Sequence, residues 1–459
     1  MKRNTFRLTT LASALFVAGL SSAHAGGFQL LEQNASGIAN AYAGSAAVAD
    51  NASTIFFNPA GMTQLSGAKE VSLGLVVVKP SFKFANQGSL AAVPPLTPVP
   101  VRLTGSNGAD AGDWAAIPNG YYAQRINDRL SVGVGFGAPF GLKTEYTDDW
   151  IGRFQSTMFD IKTMNVNPSV AYRVNDKVSV GAGVSIQKME ATYDRFASLF
   201  APPSLLPLLV QQLGNPQAAH AAMQNTKLRL KADDVSLGWN VGVLFQPTAA
   251  TRVGLSYRSK VKHTLTGTVT ASGAAAAVLS NPRIGLAGVN AKVDVDLPDT
   301  FIVSFTHQLN PRWEVLADLS WTGWSSLDVL PIYRTSGVLA GTEADKIDTR
   351  FRDTWRVALG ANYHYNDAWT FKFGIAHDES PVKNADTRLV SLPDNNRIWL
   401  SFGAQWRPDR ATRVDFGLAH LFINDTRISH NQIDKGKGWV IGEYTGNIWL
   451  AGVQYSRSF

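Results

Sequence analysis

The chain holds eight histidines and no cysteine. Without Cys there is no thiolate nucleophile, no disulfide and no thiolate-bound metal. The histidines show no metal-ligand spacing, so neither a metal nor any other cofactor is expected. His263, His307 and His420 lack the Ser and acid context of a nucleophilic triad, and the chain does not read as an enzyme. Gly133, Gly135 and Gly137, like Gly181 and Gly183, recur at every second position with no helix following, which is not a phosphate loop. Asp148-Asp149 and Asp233-Asp234 read as solvated or lumenal charges. What remains is binding chemistry. Leu199, Phe200, Leu205, Leu208 and Leu209, broken by Pro202, Pro203 and Pro207, form an apolar run in a long connection, the mark of a hydrophobic docking groove. Gly137, Ala138 and Pro139 interrupt a strand-like stretch, because Pro has no N–H to give a ladder.

The elements that position these residues follow from composition and period. The 459 residues include 40 glycines, 45% hydrophobic and only 17% charged side chains, against about 25% charged in ordinary soluble domains. Lys2, Arg3 and Arg7 precede an apolar run from Leu11 to Leu20 and the small-x-small pattern Ala23-His24-Ala25, so residues 1–25 read as a signal peptide. Its removal leaves 39 basic and 35 acidic side chains, a net of +4. Nucleic acid is therefore not an expected partner. No later apolar run reaches the ~18 residues of a spanning helix.

Strict alternation fills the rest. Leu130, Val132, Val134 and Phe136 share one face; Val178, Val180, Ala182, Val184 and Ile186 do likewise, as do Trp355, Val357, Leu359, Ala361 and Tyr363. The opposite faces carry Gly, Ser, Asn and charges, the pattern of strands between lipid and a polar lumen. Tight turns at Asn127-Asp128, Asn175-Asp176, Asn310-Pro311 and Asn366-Asp367 alternate with long connections at 87–112, 147–156, 197–225, 270–288, 331–347, 380–387 and 428–435. The spacing predicts an all-β chain: a 14-stranded antiparallel transmembrane β-barrel over 67–459. Its strands fall near 68–86, 113–126, 129–146, 157–174, 177–196, 226–246, 251–269, 289–309, 312–330, 348–365, 368–379, 388–407, 412–428 and 436–459. A secreted β-sandwich is the competing architecture. Residues 26–66 lack alternation, are rich in small residues, and read as an N-terminal hatch plugging the lumen.

The motifs Gly27-Phe28-Gln29-Leu30, Ala49-Asp50-Asn51-Ala52, Asn58-Pro59-Ala60-Gly61-Met62, Trp321-Thr322-Gly323-Trp324 and Asp378-Glu379-Ser380-Pro381-Val382 resemble the FadL family, transporters of long-chain fatty acids and other hydrophobic compounds in the bacterial outer membrane. The resemblance covers nearly the whole mature chain. It implies passive uptake of a long-chain fatty acid or other hydrophobic small molecule, with sideways release through the barrel wall, here near Pro139. It also implies a ligand pocket including Phe28 at its inner end and Arg195 at the head group. A second base is implied near the tenth strand, where Lys346 is nearest and Ile347 occupies the ungapped position. Asn58, Pro59 and Ala60 then mark a defined hatch turn. A channel for aromatic hydrocarbons, and a surface adhesin or phage-receptor barrel, stay open as alternatives. The expected surroundings are outer-membrane lipid and lipopolysaccharide, and the expected state is a monomer.

Overall fold

The computed structural model describes residues 26–93 and 99–459; the expected signal peptide, 1–25, lies outside them. Alternating residues form fourteen long staves. They are β1 (Lys69–Asn86), β2 (Ala115–Arg125), β3 (Leu130–Gly137, resumed at Gly141–Glu145), β4 (Met158–Arg173), β5 (Val178–Phe196), β6 (Thr226–Thr248) and β7 (Thr251–Arg258 and Val261–Gly273). Then follow β8 (Val289–Leu297 and Thr300–Asn310), β9 (Trp313–Thr322 and Val329–Arg334), β10 (Glu343–Asp348 and Thr354–His364), β11 (Trp369–Asp378), β12 (Arg397–Trp406), β13 (Thr412–Ile423 and Thr426–Asn431) and β14 (Trp439–Ser458). β14 pairs antiparallel with β1 from Glu70↔Ser458 to Asn86↔Gly442, so the sheet closes on itself.

The faces are inverted relative to a water-soluble protein. Leu400, Leu418 and Leu359 on the outer face are 57%, 47% and 57% exposed, whereas Lys372, Asp415, Gln405 and Ser456 on the inner face are buried. Only lipid makes such an outer surface favourable. Aromatic pairs mark its two borders. Trp313 packs on Tyr363 and Trp369 on Trp406 beside the short turns, and Trp239 packs on Tyr257 toward the long loops. In barrels of this kind the short turns face the periplasm and the long loops the exterior.

Residues 26–66 pack against the inner face. They form short turns, a helix α1 (Thr54–Phe57) and a 3-10 segment at Pro59–Gln64. Asn58 caps that segment: its Oδ1 accepts from Ala60 N, while Nδ2 donates to Ala46 O and to Val243 O of β6. Two wall glycines permit this approach. A Cβ on Gly242 would lie 2.0 Å from Asn58 Oδ1, and one on Gly181 2.4 Å from Ala60 N.

The strand expected at 388–407 begins only at Arg397. Pro381 and Pro393 cannot donate to a ladder. The Asp394 carboxylate instead accepts from Gly27 N and Ser380 Oγ, folding this connection inward against the N-terminal segment.

Candidate functional site

The outer ends of β5, β6, β9 and β10 and three short helices, α2 (Leu206–Leu213), α3 (Pro216–Gln224) and α4 (Ala276–Leu279), surround an outer cavity. Its wall includes Leu205, Met223, Leu228, Val269, Leu279 and Leu286, so it is apolar along most of its length. The run from Leu199 to Leu209 does not form one groove. The helical period divides it. Leu205 lines the cavity, and Leu209 is buried between α2 and α3 against Ala219 and Met223. Leu199 is buried in a separate cluster with Phe84 and Trp150. Phe200 and Leu208 remain exposed on the outside.

One end of the cavity is charged. Arg195 Nε donates to Asp345 Oδ2 at 2.9 Å, and Lys437 Nζ reaches both oxygens of Asp345 at 2.8 Å. The base that shares Asp345 with Arg195 is thus Lys437, not Lys346; it lies behind the cavity wall, which at this end is formed by Arg195, Arg334, Asp345 and Lys435. Alternation on β10 sends Asp345 and Ile347 into cavity walls, and Lys346 between them lines neither cavity. Gly436 and Gly438, at φ +68° and +75°, give the last outer loop the turn that folds Lys437 back.

Tyr193, Leu230 and Ile332 belong to the outer cavity and equally to an inner one, so the two adjoin. The inner cavity is lined by Ile161, Met189, Leu265, Val293 and Phe351, with Leu389 and Leu392 from the infolded connection. Phe28 forms part of its floor, 4.9 Å from Trp324 and 5.9 Å from Phe140 between ring centroids. Phe140 and Trp324 also border a third, lower cavity, so these three rings partition the lumen.

The lower cavity meets the wall where β3 is broken. β2 and β3 pair from Arg125↔Ser131 to Gly120↔Phe136 and no further. Ala115–Asn119 keep their β1 partners but have none on the β3 side. After Gly137 the chain turns inward and pairs with the N-terminal segment instead. Leu30 N donates to Pro139 O at 2.8 Å, Gly141 N to Phe28 O at 2.9 Å, and Gln33 Nε2 to Ala138 O at 2.7 Å. β3 then resumes on β4 at Gly141↔Lys162. Pro139 lies at this break, and Pro118, also lacking an N–H, lies in the unpaired stretch of β2.

Residues 15–459 match the family model described as outer membrane protein transport protein (OMPP1/FadL/TodX). The chain belongs to this family. A long-chain fatty acid transport protein of Escherichia coli O6:H1 is 31% identical over 472 residues, spanning 98% of either chain. A FadL homologue of Pseudomonas aeruginosa superposes with a TM-score of 0.81 at 25% identity, over 94% of this chain and 100% of that one. The toluene transporter TbuX of Ralstonia pickettii shares the fold at a TM-score of 0.63 and 21% identity, over 94% and 100%. A FadL-family chain is a transport protein of the outer membrane and not an enzyme.

The charged end of this FadL-family barrel carries a pH dependence. Burial, and next the Arg195 charge, push the Lys437 ammonium down to about 7 against the pull of Asp345. Below that pH, Arg195, Lys437 and Asp345 sum to one positive charge; above it they sum to zero. A bound carboxylate favours the protonated lysine, so binding takes up a proton near pH 7 and tightens as pH falls from about 8 to about 6, where a carboxyl of ordinary pKa stays ionised. Calorimetry of oleate binding in two buffers of different ionisation enthalpy reads this uptake. It disappears in Lys437→Gln.

Proposed function

We propose that this barrel takes up long-chain fatty acids passively across the outer membrane. The supporting observation is the amphipathic outer cavity, with bases at one end and aliphatic walls elsewhere, adjoining a nearly all-apolar inner cavity through Tyr193, Leu230 and Ile332. A carboxylate needs a cation to offset its desolvation, and an acyl chain needs only apolar wall. A toluene-like hydrocarbon would leave the Arg195 and Lys437 end without a role.

In this reading the ligand enters at Leu205 and sets its carboxylate by Arg195. Its tail occupies the inner cavity down to Phe28. Residues 26–66 act as the hatch, the turn at Asn58-Pro59-Ala60 anchors it to the wall, and the unpaired seam beside Gly137, Ala138 and Pro139 is the lateral exit. The mature chain begins after Ala25 and works as a monomer, since the first and last strands pair with each other and not with a partner. Lipid and lipopolysaccharide surround the outer face, where Lys162, Lys188 and Lys262 each already pair with a neighbouring carboxylate, Asp160, Glu190 and Asp296.

The test is binding of oleate and of toluene to the purified barrel, with and without Arg195→Ala. Oleate binding weakens by about tenfold on losing a charge-assisted hydrogen bond, and toluene binding is unchanged. Toluene bound well in both proteins, with oleate bound poorly, would establish a hydrocarbon channel instead.

A further inference from the structure

The lower cavity is lined by Phe56, Pro139, Thr322 and Trp324 and also by two arginines, Arg258 of β7 and Arg356 of β10. Their surroundings differ from those of the lumenal cations that carry an ion pair, although Arg252, Arg334 and Arg388 also donate only to neutral acceptors. Lys372 is neutralised by Asp415 at 2.9 Å, and Arg413 by Glu70 at 2.9 Å. Arg258 meets only neutral acceptors, Ser185 Oγ and Phe56 O, each at 2.8 Å, and its guanidinium lies 4.2 Å over the Phe56 ring. Arg356 donates to Ala41 O at 2.6 Å and lies 5.0 Å over Trp399. Its Nε is buried without a partner, and the residue is 6% exposed. Among the described residues neither has a carboxylate within ion-pair distance; the buried carboxyls of Glu32 and Asp318 lie close enough to feel the Arg356 charge, whereas none is placed so for Arg258. The acid that lines the same cavity, Asp378, lies toward Arg397 at 3.7 Å.

A guanidinium cannot shed its charge, and holding it away from water without a counter-ion is costly. We propose that Arg258, with Arg356 across the cavity, is a second carboxylate site, occupied after the ligand passes the Phe28, Phe140 and Trp324 partition. The chain's own geometry gives the reason for its place. Arg195 is already paired with Asp345, so it holds a carboxylate at the outer end without trapping it. The head group that leaves Arg195 must cross the apolar inner cavity, and only a cation on the far side offsets that desolvation. Arg258 supplies it beside Pro139, at the break in the wall. The chamber therefore selects anionic amphiphiles over neutral ones of the same chain length. This rests on the uptake reading above.

The test compares uptake of oleate with that of oleyl alcohol, which has the same chain and a neutral head, into cells producing the wild type, Arg258→Gln or Arg258→Lys at equal surface levels. Arg258→Gln lowers oleate uptake by about tenfold, the scale of one desolvated charge-assisted contact, and leaves oleyl alcohol uptake unchanged. Arg258→Lys retains most oleate uptake. Equal losses for both ligands would assign Arg258 a purely structural role, and no loss for either would remove it from the path; both outcomes overturn the proposal alone. Wild-type cells that import neither ligand faster than cells without the barrel would overturn the uptake reading itself.

Discussion

A chain carrying Gly137→Val, Ala138→Val and Pro139→Val binds oleate as the parent does but imports it at least about tenfold more slowly, because a regular strand replaces the break. The outer end of β2, Ala115–Asn119, is paired on one side only, and the segment that would pair with it is turned inward toward Phe28 and Leu30. Valine favours extended backbone, and removing Pro139 restores a donor to the ladder. Two effects then oppose each other. Straightening β3 closes the seam, but it also strips the N-terminal segment of its bonds to Ala138, Pro139 and Gly141. If the ligand leaves through the wall, closure dominates and import falls. If it leaves through the lumen past a displaced hatch, the same variant imports faster. Labelled oleate uptake at matched surface abundance separates the two, and unchanged or faster import discards the lateral exit.

Leu230→Asp abolishes high-affinity binding of any apolar ligand, with a loss of at least about a hundredfold, while the barrel still assembles. Leu230 stands where the outer and inner cavities adjoin. An ionised carboxylate there must either remain hydrated, placing water in the passage, or lose its hydration when the ligand arrives; the latter costs several kcal/mol, and each 1.4 kcal/mol is tenfold in affinity. Assembly is insensitive because the lipid-facing side of β6 is untouched, and lumens of such barrels accept polar residues. Oleate titration of the purified variant reads the effect, with near-ultraviolet circular dichroism reporting the fold. Binding within threefold of the parent would place the ligand path elsewhere.

Much of this architecture was legible because it rests on period. A side-chain repeat of two, tight Asn and Asp turns and alternating long connections specify staves whatever their neighbours do. Fourteen staves were expected and fourteen form. The errors fall where the chain leaves the ladder. Arg388–Asn396 fall in the expected strand 388–407 by their place between connections, yet Pro393 and the Asp394 bond to Gly27 take the segment inward. Lys346 was expected beside Arg195 by position along the chain. The base that arrives there, Lys437, is remote in sequence, and its one local signal is the glycine on either side.

Arg258 and Arg356 gave no signal at all. An arginine in a strand reads the same whether it faces an acid, water or an empty chamber, and only the closed barrel shows that, among the described residues, no carboxylate lies within ion-pair distance of them. The sequence by itself determined the staves, their inside and outside, the outer-membrane setting and the break at Pro139, since each follows from nearest-neighbour backbone chemistry. The tertiary structure alone decided which cations are neutralised, which leucines of the outer loop line the outer cavity, and where one cavity ends and the next begins. Those depend on distances between residues far apart in the chain, which packing and the closure of the sheet set and no local pattern encodes.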